Sequence, residues 1–132
     1  MRITQSGNVG MGTTTPQSKL AVNGTITATQ VKVTQTGWSD FVFDSGYHLA
    51  PLSKTAAFIK TNHHLPDIPS AKEIESNGLD LGSMEKKQMQ KIEELTLYLI
   101  KAEKEIKEIN SENKKLKNAL ENLKTKVEEI KS

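Results

Sequence analysis

IEELTLYLIKAEKEIKEINSENKKLKNALENLKTKVEEI, residues 92–130, carries an apolar residue at alternating steps of three and four along nearly its whole length. With Ile92 at heptad position a, the a series runs Ile92, Leu99, Ile106, Asn113, Leu120 and Val127. The d series runs Leu95, Ala102, Ile109, Leu116, Leu123 and Ile130. Eleven of these twelve residues are apolar, and no glycine or proline follows Gly82. Such regularity over six heptads is the pattern of a coiled coil. A helix of this kind has no globule on which to lay its stripe, so the spacing predicts a rod on the order of 70 Å that associates with copies of itself. The strand number stays open on the heptads alone. Asn113 at a, followed by Leu116 at d, favours a dimer, whereas Ile106 and Ile109 at consecutive a and d favour three or more strands. Glu112 and Lys117 stand in the g-to-e relation that pairs parallel neighbours.

Working back toward the N-terminus, residues 37–83 hold most of the aromatic side chains. WSDFVFDSGYHL, 38–49, reads as a strand. Ser53 is placed to cap a short helix over KTAAFIKTN, 54–62. Two prolines then interrupt LPDIPS, 65–70. Ser70 and Glu73 form a capping-box pattern for a second short helix that Asn77-Gly78 would end. Ser83 is a candidate N-cap for the long helix.

Residues 1–36 are rich in Thr, Gly and Val. Leu20 and Val22 alternate with polar neighbours, Asn23-Gly24 marks a hairpin or bend, and Ile26, Ala28, Val31 and Val33 resume the alternation. This region reads as short strands. The predicted organisation is therefore 1–36 β-rich segment, 37–83 small mixed α/β module and 84–132 coiled-coil helix.

Composition narrows the function. Of 132 residues, 35% are hydrophobic and 5% aromatic, a thin supply for a core of its own. Lys and Arg number 18 against 16 Asp and Glu, a net charge of +2, and Arg2 is the single arginine. Neither the balance nor the shortage of arginine forks suits nucleic-acid binding. No cysteine is present, which excludes disulfides and thiolate chemistry. No apolar run has the length of a membrane span, so no membrane insertion is expected.

Several stretches invite a chemical reading. GNVGMGTT, 7–14, lacks the Gly-Lys-Ser/Thr ending of a phosphate loop and the βαβ unit of a dinucleotide fold. Its glycines, with Gly24, read as bends between short strands: Gly7, Gly10, Gly12 and Gly24. His63, His64 and Asp67 cluster in NHHLPD, but adjacent residues of extended chain point apart, and packing beside a proline turn is the simpler reading. The neighbouring pairs Ser18-Lys19 and Ser53-Lys54 have no feature of a catalytic dyad. No catalytic, metal or cofactor site is expected.

Two stretches carry a resemblance. GNVGMGTTTPQSKLAVNGTITA, 7–28, resembles an element found upstream of C-terminal tips in phage tail fibres. HLPDIPSAKEIESNGLDLGSMEKKQMQKIEELTLYLI, 64–100, resembles the C-terminal segment of fibre-like proteins of Bacteroidetes bacteria and their phages. A related group is the S74-type intramolecular chaperone, whose self-cleaving motif opens Ser-Asp and places a lysine five residues after the serine. Here Ser39-Asp40 matches the opening, but position 44 is Asp44, so self-cleavage is not expected.

The resemblance implies an α+β, fibrous architecture. A trimeric β-structured shaft and small mixed tip module would be followed by a long parallel trimeric coiled coil. It tips the strand number toward a homotrimer, with the chains parallel because a threefold fibre aligns all three. It also implies a virion tail or tail-like particle as the extracellular location, and a cell-surface receptor or glycan as the outside partner. Trp38 and Tyr47 are then the candidate receptor contacts. The alternatives are a trimeric bacterial surface adhesin and a self-cleaving S74-type peptidase.

Overall fold

The computed structural model describes residues 1–132, and the chain is mixed α+β: a small three-stranded sheet and three α-helices, the last very long. It divides into two compact units, Met1–Thr34 and Gln35–Ser132.

The first unit holds β1 (Arg2–Ile3), β2 (Val9–Met11) and β3 (Leu20–Val22) in the order β1-β2-β3. β1 and β2 are antiparallel, with Ile3 opposite Val9, whereas β2 and β3 are parallel, with Gly10 opposite Ala21. Parallel neighbours usually need a helical crossover; here the irregular loop of residues 12–19 suffices. Glycine makes the tight return possible. Gly12 has φ +70°, and a Cβ there would lie 2.7 Å from the Asn23 carbonyl oxygen. A Cβ on Gly10 would lie 2.5 Å from the Thr13 carbonyl oxygen. Asn23 clamps the far end: its N–H donates to Met11 O at 2.8 Å and its side-chain amide to Gly12 O at 3.3 Å. Only Gly10 and Pro16 of this unit are buried, so it contains no apolar core.

In this unit one expectation holds in its bend form and one fails. Asn23-Gly24 bends the chain, but it does not close a hairpin, because the neighbour of β3 is the earlier strand β2. No strand follows Val22, and Ile26, Val31 and Val33 stand exposed. Alternation supplies an apolar edge, but a strand also needs a backbone partner, and one chain offers none here.

The second unit contains no strand. WSDFVFDSGYHL therefore does not form one: Ser39–Phe43 is a 3-10 helix, closed by Asp44 N–H donating to Phe41 O at 3.1 Å. With no strand beside it, the backbone satisfies itself locally. The turn packs on the long helix, where Val42, 1% exposed, is the buried apolar side chain. Phe41 and Tyr47 meet with ring centroids 5.9 Å apart.

Helix α1 spans Leu52–Asn62 with Pro51 as its N-cap, so Ser53 lies inside the first turn and is not the cap. Proline holds φ at −59° there, and its carbonyl accepts from Lys54 N–H at 2.9 Å. His63 ends the helix in the left-handed conformation. Helix α2, Ala71–Asn77, carries the expected capping box: Glu73 N–H donates to Ser70 Oγ, and the Glu73 carboxylate accepts from Ser70 N–H at 2.8 Å. Helix α3 spans Leu81–Lys131, 51 residues. Its N-cap is Asp80, whose Oδ1 accepts from Ser83 N–H at 2.6 Å; Ser83 is the capped donor, not the cap.

Candidate functional site

The burial pattern of α3 is inverted relative to a helix packed on a globule. From Glu85 to Leu99 the a and d positions, Glu85, Gln88, Ile92, Leu95 and Leu99, are all exposed. Ile92 is 54% exposed and Leu99 70%. Other positions from Lys86 to Tyr98 are at least partly covered, Thr96 excepted. Glu93, at an outer b position, is only 8% exposed. The chain covers the outer face of its helix, Met89 and Leu97 included, and leaves the seam positions bare, of which Ile92, Leu95 and Leu99 are apolar. Beyond Tyr98 every residue of α3 is exposed, so the remaining seam residues Ala102, Ile106, Ile109, Asn113, Leu116, Leu120, Leu123, Val127 and Ile130 touch nothing that hides them.

A polar cluster ties residues 47–67 to the flank of α3. Tyr47 OH donates to Glu94 Oε1 at 2.6 Å, and Gln90 Nε2 donates to the same oxygen at 3.0 Å. Lys91 Nζ donates to Glu94 Oε2 at 3.0 Å and to Asp67 Oδ2 at 3.2 Å. Tyr98 OH donates to the Ala50 carbonyl. Partial burial opposes charge on Glu94, but the bonds from Tyr47, Lys91 and Gln90 outweigh it and hold the carboxyl below its ordinary pKa. Partial burial likewise opposes charge on Lys91, and the bonds to Glu94 and Asp67 outweigh it, raising the ammonium above its usual value. Burial and then the bond to Glu94 push the Tyr47 hydroxyl upward.

Beside this cluster lies a cavity of about 260 Å³ walled by Tyr47, Leu52, Leu65, Lys91, Leu95 and Tyr98. A second opening of about 450 Å³ shares Ala50, Leu52 and Tyr98 with it and runs on to Ala102 and Glu105. Together they form one groove along the g and c flank of α3, bordering the seam at Leu95 and Ala102.

The two candidate contact residues part company. Tyr47 lines the groove and is held by Glu94, whereas Trp38 is exposed at the start of the 3-10 turn and lies outside the groove. Gly7 lies in the β1–β2 turn, Gly10 within β2, Gly12 at the start of the β2–β3 loop and Gly24 just past β3. His64 Nδ1 lies 2.9 Å from Leu65 O, and its ring stands edge-on to Phe58 at 5.3 Å. No three His, Asp or Glu side chains gather as a metal-binding group. Ser39 is fully buried, and its Oγ has no hydrogen-bond partner; the only other buried side-chain atom left unpaired is Glu93 Oε2.

Sequence reasoning missed Gln90, Lys91 and Glu94, and it grouped Asp67 with His63 and His64 where the structure pairs it with Lys91. Lys91 and Glu94 stand three apart, as ion pairs on helices do, but so do many surface pairs that have no role. No helix is long and apolar enough to cross a membrane. No family model, no curated protein and no solved structure matches the chain.

Proposed function

We propose that the chain is the C-terminal part of a homotrimeric tail fibre, of a phage or a tail-like injection machine. Helix α3 joins three parallel copies and thereby drives folding of the β-structured shaft, with receptor contact at the tip as a further role. On this reading it acts outside the cell, without catalysis or cofactor. The observation that carries the proposal is the inverted burial of α3. A bare apolar stripe of this length is a large penalty in water, at about 25 cal/mol per Å² of apolar surface left uncovered. Facing copies of the same stripe remove it.

The first unit supports the same reading. Its strands of two and three residues are shorter than those of independently stable sheets, and it has no apolar core. Ile26, Val31 and Val33 offer further alternating chain with no partner in its own copy. Such a unit gains most from other chains held close by. A coiled coil forms from local contacts, and it raises the effective concentration of segments whose pairing is non-local and slow. The buried, unbonded Ser39 hydroxyl and Asp44 five residues on support a module that does not cut itself.

Light scattering after size exclusion tests the proposal. Three chains per particle is the expected result. Two chains would sink the tail-fibre reading and make Asn113 the decisive residue. A monomer at high concentration would remove assembly altogether.

A further inference from the structure

We infer that the groove along the g and c flank of α3 seats the opposite flank of α3 from a neighbouring copy, with Ile100 as the residue it receives. The inference rests on the parallel assembly proposed above and adds to it a second interface outside the heptad seam.

Ile100 is the starting observation. It occupies heptad position b, on the outer face of a coiled coil. The next four b positions are Lys107, Lys114, Glu121 and Glu128, all charged, as solvated positions should be. Ile100 breaks that rule and is 58% exposed, with nothing in its own chain to cover it. Thr96, at the adjoining e position, is the one residue off the seam between Lys86 and Tyr98 that the chain leaves exposed. An apolar residue and a bare position thus mark the e and b flank from Thr96 onward, just past Glu93, the last b residue that the module covers.

The groove lies on the other flank of the same helix at the same height. Lys91, Tyr98 and Glu105 of its helical wall are g positions, and Leu95 and Ala102 are d positions. Successive residues turn about 100° around a helix axis, so e and b form one flank and g and c the other. In a parallel coiled coil, the g flank of each helix faces the e flank of the next. Residues 49–52 wall the groove together with Tyr98, Lys101, Ala102 and Glu105 of the helix. A neighbour in register would therefore bring Thr96 and then Ile100 into it, against Leu52 and the Tyr98 ring. The groove is open at Leu95 and Ala102, so it joins the seam without a break. Each module would grip its own helix through the Tyr47–Glu94–Lys91–Asp67 cluster and the next helix through Ile100, closing a ring around the bundle.

The chain has no cysteine, which permits a direct test. The double variant Leu52→Cys/Ile100→Cys is treated with a short bis-maleimide and run on a denaturing gel, with the native mass of the same sample taken by light scattering. The expected result is covalent species of two and three chains, absent from either single variant. An oligomer whose chains stay at single-chain size, linked internally or not at all, overturns the seat while leaving the assembly intact. A native mass of one chain overturns the assembly itself. As a second measurement, Ile100→Lys should lower the thermal midpoint of the oligomer by several degrees, while Lys107→Ala, one heptad along, leaves it in place. An unmoved midpoint for Ile100→Lys also overturns the seat.

Discussion

The two halves of α3 obey the same heptad rule but live in different surroundings. Up to Tyr98 the outer face of the helix is covered by residues of its own chain, and Glu93 is sealed beneath them. From Leu99 onward the helix is exposed on every side. Yet the a and d positions are bare in both halves. Local packing therefore decides where the module sits, and it leaves the seam positions uncovered. On the proposed assembly, the near half has two sources of stability, one within the copy and one between copies. The far half has only the second.

Cutting the seam separates these sources most sharply. Ile106→Ala with Ile109→Ala should cost about 2–5 kcal/mol per side chain in the assembled state. The expected readout is a shift of native mass toward single chains and a steep loss of far-half helicity by circular dichroism, with the near half retaining part of its structure. An unchanged mass would contradict a seam made by these residues.

Val42→Ala works from the other side. It removes two methyl-sized groups from the one fully buried apolar side chain, about 2 kcal/mol. Hydrogen exchange should rise across residues 38–67 while the oligomer mass holds. Dissociation would mean that the module and the seam are one cooperative unit.

Tyr47→Phe removes a donor to Glu94 and should loosen the near half by about 1 kcal/mol. The pH dependence of the same contact has a definite sign. The folded pKa of Glu94 is depressed, so its contribution is complete above the unfolded value and is lost as pH falls through the folded one. The folded pKa of Lys91 is raised, so its contribution is complete below the unfolded value and is lost as pH rises through the folded one. Near-half packing, followed by aromatic circular dichroism, should therefore hold across neutral pH and weaken at strongly acidic and strongly alkaline pH. Loss of the signal around pH 7 would argue against the cluster as its support. Ser70→Ala should have the smallest effect: faster exchange confined to residues 71–77, with mass and α3 helicity unchanged.

Much of this was legible in the residues themselves. The heptad period of about 3.5 residues between Ile92 and Ile130 reads directly as a helix because i, i+3 and i+4 share a face. The Ser70–Glu73 box is as plain, since its donors and acceptors lie within four residues. Readings failed where a segment's state depends on a distant partner. Trp38–Leu49 reads as a strand, but no strand lies beside it, and Ser39–Phe43 curls into a 3-10 turn against α3. Leu20–Val22 pairs with an earlier strand in parallel because Gly10 and Gly12 admit a close return, a contact that no local pattern encodes.

The sequence by itself determined the long helix, its seam and the caps of α2, because these rest on contacts a few residues apart. Only the tertiary structure decided which face of α3 is covered, which polar side chains clamp it, and that a groove opens beside Leu95 and Ala102. Those features join residues 24 to 48 positions apart, from Asp67 with Lys91 to Ala50 with Tyr98. The physical reason is that periodicity fixes which face a helix can bury, while the element that covers it is set by how distant segments fold back.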